Sequence, residues 1–133
     1  MAGMDQKRNS SGVMASTVVA AGTHALIPIF WLFSSLFVVP RYHAQVAELG
    51  IEDLPDRVDF LFAASQFMAT RSFLFMFLLA LFLAADGAVH YGLSRLSNAA
   101  AARLWSLGIV IAQITLSLFL YLPLRSAVES MAS

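Results

Sequence analysis

The chain has 133 residues, of which 59% are hydrophobic and 12% charged, with eight basic and eight acidic side chains and a mean hydropathy of +0.77. Soluble domains carry roughly a quarter charged residues, so the composition argues against a water-soluble fold and for one small membrane domain. There is no cysteine, which removes disulfides, thiol chemistry and Cys-ligated metals, and the basic residues are too scattered to form a nucleic-acid patch.

Residues 1–12 are polar and read as a disordered tail ahead of a single membrane domain, residues 13–133. From Val13 to Val39 no acid, Lys or Arg occurs. A helix of that length is about 40 Å long, enough to cross roughly 30 Å of hydrocarbon with tilt. A signal peptide is the competing reading, because Lys7 and Arg8 precede the run. The run is too long for a usual signal core and no Ala-x-Ala ends it, so a retained span is expected over 13–39. Pro28 is expected to kink it.

The first loop, 40–69, is expected to hold two short interfacial helices. Tyr42, Val46 and Leu49 recur at helical spacing, Pro40 suits a helix start and Gly50 the position after a helix end. Leu54-Pro55 restarts the chain. Asp56 to Met68 is again helical in pattern, with Asp56 and Asp59 in its first turn and Phe60, Leu61, Phe62, Phe67 and Met68 for the interface.

A second span is expected over about 70–91, because the uncharged run Ser72–Ala85 is too short alone. Arg71 at its start is read as snorkelling. Asp86 and His90 then sit near its end, four apart on one helix face. Such a pair can relay a proton or bind a metal, but no third ligand has a suitable spacing, and a polar helix–helix contact at the span's end is the simpler reading. Ala80, Ala84 and Ala88 form a small-residue stripe that permits close helix approach. The third span is expected over 104–122, with Asn98 as N-cap, Arg103 snorkelling and Pro123 marking the end.

Within the spans the polar side chains are His24, Asp86, His90 and Gln113. For His24 a hydrogen bond to Gln113 or to a Ser or Thr is favoured, with a haem or chlorophyll ligand as the sharper alternative. Trp31 and Trp105 suit interfacial anchors. No nucleophile elbow or phosphate-binding glycine loop occurs, so no catalytic residue, metal or cofactor is expected. The basic residues divide equally between the two faces, and the acids of the first loop tilt the balance toward an N-terminus inside.

The segment Phe37-Val38-Val39-Pro40-Arg41-Tyr42, followed by Gly50, Leu54-Pro55 and Ser65, resembles the F-type inner-membrane platform family of bacterial type II secretion and type IV pilus systems. In that family a membrane helix ends in a Val-Pro-basic-Phe turn. A short amphipathic helix, Gly, Leu-Pro and a helix with a central Ser then lead into the next span. Tyr42 stands where the family has Phe, and Asp56-Arg57-Val58 where it has Pro-x-Thr. A second, less specific match is Leu118-Phe119-Leu120-Tyr121-Leu122-Pro123-Leu124 at the last span's exit. The resemblance implies an extracytoplasmic first loop. It does not carry the family's motor coupling, because the places of its two soluble bundles hold only short segments.

The sequence therefore predicts an all-α membrane protein of three transmembrane helices in the bacterial inner membrane, N-terminus cytoplasmic. Its expected role is non-enzymatic: structure or assembly in a larger complex, as a reduced platform-like protein. The alternative is a small accessory subunit of a respiratory or photosynthetic complex. Expected partners are the lipid bilayer and other membrane subunits through helix packing, with self-association open and no nucleic acid.

Overall fold

A computed structural model describes residues 2–96 and 99–131 of the chain. Among them the structure is helical, with no strand: α1 (Ala2–Phe37), α2 (Val39–Glu48), α3 (Asp56–Thr70), α4 (Ser72–Leu96) and α5 (Ala99–Met131). Three stretches are long and apolar enough to cross a membrane: Ser10–Glu48, Ser72–Leu96 and Ala99–Ser126. Their outer surfaces are apolar, as at Phe30 and Phe33 of α1, Phe73 and Leu81 of α4, and Leu107 and Leu118 of α5. A hydrocarbon environment accepts such a surface where water would not.

The boundaries differ from those expected. α1 extends back to Ala2 across the polar stretch expected to be a disordered tail. Pro28 lies inside this helix without ending it. At the Val-Pro segment the chain makes a one-residue interruption at Val38 rather than a wide turn: Val38 N–H still reaches the Ser34 carbonyl at 2.9 Å, and α2 then starts with Pro40 as its second residue. Proline supplies no N–H, so the ladder breaks there and a new helix begins. α4 starts after a second interruption at Arg71 (φ −122°, ψ 39°) and continues to Leu96, five residues beyond the expected end. α5 runs through Pro123, which was expected to end it. The expected N-cap, Asn98, lies outside the described residues.

The end of α2 follows the sequence closely. Gly50 adopts φ +65°, Gly50 N–H bonds the Ala47 carbonyl at 3.2 Å and Ile51 N–H bonds the Val46 carbonyl at 3.3 Å. These are the two hydrogen bonds of a Schellman cap, which needs a left-handed residue and so favours glycine. Ile51 also packs against the cluster containing Val46. The apolar stripe of α2 is Val39, Tyr42 and Val46; Leu49, expected on it, is exposed at the cap.

The chain divides into two compact units. The first comprises Met1–Leu26 and Phe77–Ile111; the second comprises Ile27–Met76 and Ala112–Ser133. The second has an apolar core of Val39, Val46, Val58, Leu61, Phe62 and Leu124, with Leu54 and Tyr121 packed on it. Its helices are joined by Ser65 Oγ–H to the Ser35 carbonyl (3.1 Å) and Trp31 Nε1–H to Ser117 Oγ (2.8 Å), while the Ser117 hydroxyl proton goes to the Gln113 carbonyl within α5 (2.7 Å). The Arg57 guanidinium stacks over Phe119 at 4.5 Å. The interior of the first unit is mainly polar: Thr17, His24, Asp86 and His90 are buried there, beside Leu79 and Ala102.

Candidate functional site: a buried His–Asp–Trp cluster and its cleft

The polar interior of the first unit is built by three helices. α1 and α4 are antiparallel in it, since hydrogen bonds join Thr17 to His90 and, farther along α1, His24 to Asp86, which precedes His90 on α4. Four-residue spacing puts Asp86 and His90 on one face of α4, and seven-residue spacing puts Thr17 and His24 on one face of α1.

The carboxylate of Asp86 is 4% exposed and accepts two hydrogen bonds. His24 Nδ1–H donates to Oδ2 at 2.5 Å, and Trp105 Nε1–H from α5 donates to Oδ1 at 2.7 Å. His24 is 0% exposed. A carboxylate taken from water is tolerated only when its oxygens are paired, and here each oxygen has a donor from a different helix. Asp86 thus ties α1, α4 and α5 together.

Thr17 Oγ1–H donates to the Val13 carbonyl at 2.9 Å. The hydroxyl has one proton, so at 3.2 Å it accepts from His90 Nδ1–H. This contact sets the orientation of His90, as Asp86 sets that of His24.

Both imidazoles line a cleft of about 380 Å3. Its other walls are Ser16, Val19, Ala20 and Thr23 from α1 and Arg103, Ser106, Leu107 and Val110 from α5. Ser106 Oγ is buried there without a hydrogen-bond partner. No group of three or more metal-ligating side chains occurs among the described residues.

The structure brings His24, Asp86 and His90 into one unit, and His24 Nδ1 bonds Asp86, where the sequence suggested Gln113 or a Ser or Thr. α4 covers Ser72–Leu96 and so continues past Asp86 and His90, which were expected near the end of a span closing at about Tyr91. Gln113 is buried in the second unit. Trp105, expected as an interfacial anchor, is a ligand of the buried carboxylate. Its part was foreshadowed only by its being an indole N–H donor within an apolar span, where a buried acceptor is the natural partner.

The residues compared above with the platform family lie in the second unit, and of them Val39 is in its core. Val39 and Leu54 pack in or on the apolar cluster, Tyr42 is packed against it, Gly50 caps α2 and Pro55 precedes α3. Arg41 is exposed. A second cleft, of about 370 Å3, is lined by Val39, Pro40, His43, Asp59, Phe62 and Ser65, among others. No family model, curated protein or solved structure matches this chain.

Proposed function

We propose that this chain is a non-enzymatic, three-span protein of the bacterial inner membrane, with a structural or assembly role inside a larger membrane complex. One observation carries the reading. Buried polar side chains join helices, His24–Asp86–Trp105 and His90–Thr17 in one unit and Trp31–Ser117 and Ser65–Ser35 in the other, while bulky apolar side chains face outward along every long helix. Such a molecule offers rigid apolar helix faces to lipid or to other subunits.

By the resemblance at Val39, Pro40, Gly50, Leu54, Pro55 and Ser65, the complex is of the secretion-platform type, and the loop from Val39 to Arg71 is extracytoplasmic. α4 ends at Leu96 and α5 begins at Ala99, so no soluble bundle separates these spans and the proposal is confined to the membrane part. The rival role is an accessory subunit of a respiratory or photosynthetic complex, favoured by the imidazole of His24 being oriented from Nδ1 by a carboxylate, as metal-bound histidines commonly are.

Mild-detergent purification of a tagged full-length chain separates the two. Pilin-like proteins and an assembly ATPase in the eluate are the expected result. Co-elution of haem- or chlorophyll-bearing subunits, with a pigment spectrum lost in His24→Ala, overturns it.

A further inference from the structure

The cleft of the first unit has an unbalanced chemistry. α5 carries two arginines: Arg125 is paired with Glu129 at 2.7 Å, whereas Arg103 has no acidic partner among the described residues. Arg103 lines the cleft, and no acidic side chain is among the lining residues. One turn farther along α5, Ser106 Oγ lines the same cleft, buried and without a hydrogen-bond partner. Two donor groups, one of them cationic, therefore converge on a space lined by no acidic side chain. A buried hydroxyl left unpaired is costly, and snorkelling of Arg103 alone leaves Ser106 unexplained.

Depth identifies the acceptor. Arg103 is four residues into α5, about 6 Å from its start, which is head-group level for a helix that spans. Deeper in the cleft the walls become apolar, with Val19 and Ala20 on α1 and Leu107 and Val110 on α5. At that deeper level the Thr23 hydroxyl proton goes to the Val19 carbonyl at 2.9 Å and the His24 Nδ1 proton to Asp86, so neither is offered to a bound anion. A cation and a hydroxyl at the membrane face, followed inward by hydrocarbon, match an anion that carries an acyl chain.

We propose that this cleft binds an anionic phospholipid, its phosphate held by Arg103 and Ser106 and its hydrocarbon lying along Val19, Leu107 and Val110. The site is independent of the complex to which the chain belongs.

The test uses the full-length chain in mixed micelles supplied with equal amounts of phosphatidylglycerol and phosphatidylcholine, with retained lipid counted by native mass spectrometry. The wild type is expected to retain phosphatidylglycerol over phosphatidylcholine by about tenfold, the scale of a charge-assisted hydrogen bond. Arg103→Gln is expected to abolish that preference. Ser106→Ala, which keeps the charge, is expected to lower it several-fold, and Arg125→Gln to leave it intact. An unchanged preference in Arg103→Gln or in Ser106→Ala overturns the proposal. So does an equal loss in Arg125→Gln. Displacement of the lipid by inorganic phosphate at matching concentration assigns the site to a soluble anion and overturns the lipid.

Discussion

At the scale of single residues, Asp86 is the side chain on which the first unit depends. Its two oxygens serve donors from two other helices, so Asp86→Ala strips both His24 Nδ1–H and Trp105 Nε1–H of their acceptor at once. Hydrogen bonds inside membranes contribute about 0.6 to 1.7 kcal/mol each, and breaking a buried pair costs more because the remaining partner is stranded. Asp86→Ala is expected to lower stability by about 2–4 kcal/mol, and Trp105→Phe by about 1 kcal/mol. Reversible unfolding in micelles, followed by circular dichroism, measures both. The two losses are also coupled: Asp86→Ala combined with His24→Ala should cost clearly less than the sum of the single changes. Strict additivity would mean that the histidine and the carboxylate do not act as a pair.

Among the elements, α2 and its cap were the most legible. Pro40, the stripe through Tyr42 and Val46, and Gly50 announce a short amphipathic helix, and the structure has one over Val39–Glu48. A local hydrogen-bond pattern sets this element, so local sequence is enough to read it. The long helices were read less well at their ends. Pro123, expected to mark an end, sits inside α5, and α4 continues past Tyr91 to Leu96. A proline removes one hydrogen bond, and packing against neighbouring helices offsets that loss, which a breaker signal in the sequence does not register. Two glycines test the distinction between local and imposed geometry. Gly50 has φ +65° and Gly92 is helical, and an added Cβ meets nothing within 4 Å at either. Gly50→Ala is therefore expected to cost about 1 kcal/mol through left-handed strain alone. Gly92→Ala is expected to stabilise by up to about 1 kcal/mol through helix propensity. The same micelle titration reads both, and a Gly50→Ala protein as stable as the wild type would sink the strain argument.

For the whole molecule, three stretches are long and apolar enough to cross a membrane, and three spans would put the first loop and the start of α5 on opposite faces. The chain has no cysteine, so single-cysteine reporters are clean. In intact cells an impermeant maleimide is expected to label Glu52→Cys and to spare Ala99→Cys until the membrane is opened. Labelling of both from outside would refute the three-span arrangement; the reverse pattern would keep it and invert the orientation.

Composition and hydropathy by themselves determined that the chain is helical and has three stretches able to cross a membrane, because each property is a sum over local residues. The cap at Gly50 was equally local. Which polar groups meet was decided by tertiary structure. His24 and Asp86 are 62 positions apart, and their meeting depends on the depth of each residue in its helix and on the rotation of that helix about its axis. The second span was expected to close at about Tyr91, whereas α4 continues to Leu96. Rotation is fixed only when three helices pack, and it is rotation that turns Trp105 toward Asp86 and Ser106 and Arg103 toward the cleft.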